Sequence, residues 1–340
     1  MTDLNKKNKR TLSREKKAGL TLSPFHMKGG NDMLVFGPVP SRRLGQSIGI
    51  NHIPPKACPY SCIYCQLGRT NHMAVTRREY YKSEEILAQI KQKLNDIGKK
   101  HVDYLTFVPD GEPTLDINLG RHIDLLKPFG IPTAVITNAS LLWMDAVKAD
   151  LMKADWVSVK IDAVDQDIWK KIDRPQGSLV LDTILEGVMD FAQSYKGTLV
   201  TETMLVRSVN DSKDHLREIA NHIYRINPDK AYILVPTRPP AEDGVVMSTA
   251  ETLRNAHDIF CQNDISTECI TGDEGNSFYF SDSVVNDLLS ILSVHPMREE
   301  AIFDSLKKKN LCHSVIDMLI DKKMISLYKY EGERFYKRNL

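Results

Sequence analysis

The sequence predicts an α/β protein: a partial barrel of six strand–helix units carrying a C-terminal domain of winged-helix type. Three observations predict it. From about residue 47 to 271, short runs rich in Val, Ile, Thr and Tyr alternate with amphipathic segments, the pattern of buried parallel strands and their covering helices. The alternation recurs about six times, which favours a barrel or partial barrel over an open sheet. Residues 281–340 break the pattern, with three helical stretches and then alternation about Glu331-Gly332, a hairpin turn signal.

The strand runs fall at 47–53, 102–108, 133–137, 156–161, 199–206, 231–235 and 266–271. The first helix follows Ser83, a candidate N-cap, with Glu84 and Glu85 in its first turn and Ile86, Leu87, Ile90 and Leu94 on one face. Further helices are predicted at 117–126, 144–152, 181–195, 213–224 and 249–262. Beyond a loop at 272–277, helices are predicted at 284–292, 298–306 and 314–322, with His295-Pro296 breaking the first from the second. The expected divisions are a basic, disordered tail at 1–30, the partial barrel at 31–275 and the winged-helix domain at 281–340.

Charge sharpens this division. The chain of 340 residues has 45 Lys+Arg and 44 Asp+Glu, yet residues 1–30 carry a net +6. An even total therefore covers a basic tail, an acidic body and a local basic stretch (Arg42, Arg43, Lys56, Arg69, Arg77, Arg78). Winged helices often read DNA. Residues 281–340 are only +1, however, and the candidate recognition helix is weakly basic, so scaffolding, protein contact or substrate positioning is expected over DNA binding. No apolar run approaches the roughly 18–20 residues of a membrane helix, and the basic N-terminus is not followed by an apolar segment. A cytoplasmic protein is expected.

Cys58, Cys62 and Cys65 follow the first strand with C-x3-C-x2-C spacing. Three thiolates in one loop can converge on a metal centre. Structural zinc takes four protein ligands, and with His52 and His72 nearby a zinc knuckle stays open as a reading. An iron–sulfur cluster with four irons and three protein ligands leaves one iron open to a cofactor or substrate, and the spacing favours it. Cys261, Cys269 and Cys312 have no cluster spacing and read as buried or incidental residues.

The cysteine motif, with Tyr64 as the aromatic before its last cysteine, resembles the hallmark of the radical S-adenosylmethionine (SAM) superfamily. The surrounding string FGPVPSRRLGQSIGINHIPPKACPYSCIYCQLGRT is similar to a branch of iron–sulfur oxidoreductases related to the wybutosine-synthesis enzymes that act on tRNA. The resemblance covers roughly residues 35–271. It implies a [4Fe–4S] cluster on Cys58, Cys62 and Cys65, SAM chelated to the open iron, and reductive cleavage of SAM to methionine and a 5′-deoxyadenosyl radical. That radical would take hydrogen from a substrate.

The resemblance also implies SAM contacts. Tyr64 would meet the adenine. Asp110-Gly111-Glu112-Pro113 resembles the Gly-Gly-Glu-Pro motif, with Asp110 replacing the first glycine, so Glu112 would face the SAM ammonium. Asn138 ends the third strand, Ser158 and Lys160 form the polar-x-Lys pattern of the fourth, and Thr203 belongs to the fifth, where the inward face, threonines or Glu202, is undecided. The backbone at Pro236 would support adenine. Arg42, Arg43 and Arg69 would bind a substrate phosphate or carboxylate, or brace the cysteine loop.

A small electron donor such as flavodoxin or ferredoxin is implied, with tRNA or another polyanion as a substrate class. Residues 1–57 contain no cysteine, unlike the relatives with a second cluster, which argues against copying their tRNA reaction. The competing functional readings are a redox-sensing iron–sulfur regulator that binds DNA and a zinc-stabilised adaptor.

Overall fold

A computed structural model describes residues 33–339 apart from 71, 273, 274, 277 and 282; the tail expected at 1–30 lies outside the described residues. The chain opens with β1 (Val35–Ser41) and β2 (Gly45–Ile50), then β3 (Ala57–Cys58) and β4 (His72–Met73). Five crossovers follow: α1 (Ser83–Ile97) to β5 (Tyr104–Phe107), α2 (Leu119–Leu126) to β6 (Thr133–Thr137), α3 (Asp145–Leu151) to β7 (Trp156–Lys160), α4 (Gln166–Ile172) with α5 (Leu181–Ser194) to β8 (Thr198–Met204), and α6 (Lys213–Ile226) to β9 (Lys230–Leu234). α7 (Ala250–Gln262) leads to β10 (Thr267–Ile270). The chain ends with α8 (Val284–Val294), β11 (Met297–Arg298), α9 (Glu299–Lys308), α10 (Ser314–Asp321), β12 (Ile325–Tyr330) and β13 (Glu333–Arg338).

The main sheet runs β1-β2-β5-β6-β7-β8-β9-β10, parallel throughout except for β1 against β2. The expected strands are all present and in chain order, because each helical crossover returns the chain one strand further along. Strand β1 was not expected: VFGPVPS holds two prolines and a glycine, which only an edge strand tolerates. Helix α4 was also not expected. Ser83 is not the cap of α1 but its first residue, with Lys82 at the cap position.

The outer face of the sheet is covered by the helices. Ile86, Ile90 and Leu94 of α1 and Leu119 and Ile123 of α2 join Leu105, Phe107, Val135, Val157 and Val159 in one core. Each such side chain contributes about 1.5–3 kcal/mol on leaving water. The inner face holds another cluster in which Leu44, between β1 and β2, meets Tyr232 and Leu234 of β9 and Ile270 of β10. Arg42, in the same turn, donates to the Gly272 carbonyl just past β10. The sheet is therefore curled, so that side chains bridge its two edges without strand pairing.

The described residues form one compact unit. The C-terminal core takes Phe36 of β1 together with Phe278, Phe280, Leu288, Leu292, Met297 and Tyr336, and it borders Val39 and Val108. Lys93 of α1 pairs with the buried Asp287 of α8 at 2.7 Å. The hairpin β12–β13 turns at Glu331 and Gly332, with φ of 49° and 83°, the doubly left-handed turn its sequence signals. Among the described residues no helix is long and apolar enough to cross a membrane.

Candidate active site

The cysteine loop lies over the C-terminal ends of β5 to β7, and its own backbone docks it there. Lys56 N donates to the Asp110 carbonyl at 2.9 Å, and Glu112 N to the Ala57 carbonyl at 3.0 Å. These two bonds join the loop to the Asp110-Gly111-Glu112-Pro113 turn after β5. Gly111 sits between them, where a Cβ would lie 2.7 Å from Ile53 Cγ2 and closer still to the Ala57 carbonyl oxygen. Glycine is required there by close approach. From the other side, Ser61 N and Ile63 N donate to the Asp173 and Ile172 carbonyls at 3.0 and 2.9 Å, so the end of α4 braces the loop.

Glu112 is buried, and its carboxylate ties two strand ends together. Oε1 accepts from Thr114 N (3.1 Å), Thr114 Oγ1 (2.6 Å) and Thr137 Oγ1 (2.5 Å), while Oε2 accepts from Asn138 N (2.8 Å). Burial pushes its carboxyl above the ordinary value, against the pull of these donors. Asn138 in turn donates Nδ2 to Cys58 Sγ at 3.3 Å. Glu112, Asn138 and Cys58 thus form one bonded chain from the turn to the cysteine.

The sulfurs suit iron. Cys58 Sγ also accepts from Tyr60 N at 3.4 Å, and Cys65 Sγ from Lys56 Nζ at 3.4 Å, the N–H···S donors that stabilise cluster thiolates. Lys56 reaches across the loop with φ of 62° and also donates to the Gly68 carbonyl at 2.5 Å. Burial pushes the Cys58 and Cys62 thiols up, with the nearby Glu112 adding to the effect at Cys58 and Asp173 at Cys62. Among the described residues no three His, Cys, Asp or Glu side chains are placed to hold a single metal ion. Three thiols on one loop supply the donor set of a cluster, in which each would serve its own iron. His52, considered for zinc, is instead buried behind the turn, with Nε2 donating to the Pro113 carbonyl at 3.2 Å; its pKa falls to about 4 through burial.

A polar group lies beside the loop. Tyr64 Oη donates to Asp162 and stands 3.5 Å from Asp173. Lys160 Nζ is 3.8 Å from Asp162 Oδ1 and lies 5.1 Å over the Tyr64 ring. Burial opposes the charge on Lys160, but Asp162 and Glu202 hold its ammonium above the usual range. Burial likewise raises Asp162 and Asp173, with mutual repulsion adding to the rise at Asp173. On β8 it is Glu202 that faces inward: it pairs with Arg43 Nη1 at 3.1 Å and accepts from Ser158 Oγ at 2.7 Å. Burial works against its charge, yet Arg43 and Lys160 keep its carboxyl below the ordinary value.

The structure thus brings Gly111, Glu112, Pro113 and Asn138 to the cysteines, and Tyr64 and Lys160 to one polar group. It does not bring Thr203, whose Oγ1 donates to the Ile161 carbonyl at 2.9 Å within the wall. Ser158 is fully buried and engaged by Glu202. Arg69 braces: it makes a two-point pair with Glu242 at 2.6 and 2.7 Å, and its side chain is otherwise exposed. Asp173 was missed as a member of the polar group; it carries no local motif and arrives through folding.

A profile described as the Radical SAM superfamily matches residues 53–222. A UPF0026 protein of Methanocaldococcus jannaschii is 43% identical over 311 residues, covering 90% of this chain and 96% of the relative. A radical SAM methyltransferase from Sphaerobacter thermophilus shares the fold at a TM-score of 0.51 and 14% identity, covering 66% of each chain. A structure of TYW1 with a lysine-pyruvate adduct bound is matched at a TM-score of 0.47 and 19% identity, covering 64% of this chain and 73% of that one.

Proposed function

The chain belongs to the radical SAM superfamily, and we propose that it is an enzyme that holds a [4Fe–4S] cluster on Cys58, Cys62 and Cys65 and cleaves SAM at that cluster. When bound, cluster and SAM together supply one-electron chemistry: reductive cleavage to methionine and a 5′-deoxyadenosyl radical that takes a hydrogen atom from the substrate. The observation that carries the reading is the bonded chain Glu112–Asn138–Cys58, which fixes a carboxyl group beside the cysteine loop.

The residues divide the work. Glu112 Oε2, with one donor, keeps a lone pair for the SAM ammonium. Lys160 offers a cation to the SAM carboxylate or to an acidic substrate group, and Tyr64 offers a ring face for adenine. The curled sheet and its covering excludes water from a reactive radical. The last three helices and hairpin follow winged-helix order. Tyr330 Oη on the Pro236 carbonyl (3.0 Å) and Lys337 Nζ on the Gln66 carbonyl (3.0 Å) dock that unit on the barrel, so we read it as a roof over the site. The electron comes from flavodoxin or ferredoxin, in a reducing cytoplasm that keeps the thiols free.

The test is anaerobic reconstitution with iron and sulfide, followed by SAM and dithionite. The expected product is 5′-deoxyadenosine, absent in a Cys62→Ala variant. A protein with its full complement of iron and sulfide that yields none overturns the reading.

A further inference from the structure

One cavity beside the cysteine loop is unused by the SAM-binding residues. It has a volume of about 150 Å³ and lies between the inner face of the sheet, the β1–β2 turn and the C-terminal end of α8. That is room for roughly five water molecules. Its walls are apolar at Phe36, Val108 and Ile136, and its polar edge carries Arg42, Arg43 and Arg238. Among the described residues lining it, none is acidic.

The guanidiniums are held from behind. Arg43 is pinned by Glu202 at 3.1 Å, yet its buried Nε has no hydrogen-bond partner. Arg238 Nη1 donates to Gln66 Oε1 at 2.9 Å, and its Nη2 stands 3.3 Å from His295 Nε2. Gln66 directly follows Cys65, so the cavity adjoins the cluster loop. Three arginines and no acidic residue around an apolar-walled cavity suit a carboxylate or phosphate oxygen.

We propose that this cavity binds the carboxylate or phosphate group of a small-molecule substrate, with Arg43 and Arg238 as its binding residues. The proposal rests on the enzyme reading above and names the substrate class for it. A small molecule is favoured over a nucleic acid because the C-terminal unit closes one side of the cavity: Gln66 Nε2 donates to the Val294 carbonyl at 2.9 Å, and Tyr330 and Lys337 add two further bonds across the same junction. A polynucleotide needs a continuous open basic groove.

The test is binding to the purified protein without turnover. Radiolabelled inorganic phosphate and succinate are the probes in equilibrium dialysis, and a fluorescent single-stranded RNA is followed by anisotropy. One small anion is expected to saturate at one equivalent per chain; which one distinguishes a phosphate ester from a carboxylate substrate. Arg43→Gln and Arg238→Gln are each expected to weaken it by about tenfold or more, while Arg121→Gln, in an exposed pair with Glu84, leaves it unchanged. Arg43 also neutralises buried Glu202, so Arg238→Gln carries the test if the Arg43 variant does not fold. The proposal is overturned by no saturable binding of either anion, by wild-type affinity in the Arg238 variant, or by RNA that displaces the bound anion. Because the readout is binding, its failure leaves 5′-deoxyadenosine formation untouched, and failure of that reaction leaves the anion site standing.

Discussion

Replacing Glu112 by Gln tests the join between the fold and its chemistry. The side chain keeps its shape but exchanges one carboxylate oxygen for an amide that donates. Three donors converge on Oε1 and one on Oε2. The amide oxygen therefore takes the Oε1 side, and the new NH₂ faces the Asn138 N–H, whose acceptor now stands at 2.8 Å. A buried N–H left without an acceptor costs about 1–3 kcal/mol, and the remaining bonds lose their charge assistance. Relief of the buried charge offsets part of that cost, and a net destabilisation of about 1 kcal/mol or more is expected. Anaerobic urea unfolding near neutral pH measures it, and equilibrium dialysis with SAM measures the ligand. SAM affinity should fall at least about tenfold, equivalent to about 1.4 kcal/mol, since the ammonium loses its counter-charge. A loss of stability below about 0.5 kcal/mol together with unchanged SAM affinity would refute both roles.

Gly111→Ala should displace the cysteine loop, because its Cβ meets backbone as well as side chain; iron bound per chain after reconstitution should drop severalfold, and full incorporation would count against the docking described. Asp110 is pushed up to about 7 from 3.8 by burial, against the pull of Asn51 and Lys56. Its folded-state value is raised, so its contribution is fully present below the unfolded value and is lost as pH rises through about 7. Urea titrations should show Asp110→Asn gaining about 3 kcal/mol on the parent between about pH 5 and 8, and a difference independent of pH would contradict this. Arg69→Ala should leave both stability and SAM binding nearly unchanged, since an exposed pair contributes little; a large loss of SAM affinity would return Arg69 to the site.

The parallel strands were legible because each is a buried run whose composition admits little else. The cysteine loop and the Asp110-Gly111-Glu112-Pro113 turn were legible because their residues are adjacent in sequence. The reading failed where several partners had to be known at once. Strand β1 was not expected because its prolines are tolerable only at an edge, which a sequence does not reveal. Thr203 and Glu202 were indistinguishable by alternation, and only the Arg43 and Ser158 partners show that Glu202 faces inward.

By itself the sequence determined the spacing of the cysteines proposed to ligate the reacting centre and the order of strands, since both depend on local spacing and on burial that recurs with a fixed period. Tertiary structure alone decided what surrounds that centre. It turned Glu112 from a lone carboxylate into a tie between strand ends, spent Thr203 on a backbone carbonyl, assigned Arg69 to Glu242, and gathered Arg43 and Arg238, nearly two hundred residues apart, at one cavity. Charge partners in a curled sheet come from opposite edges of the chain's path, and no local pattern encodes which will meet.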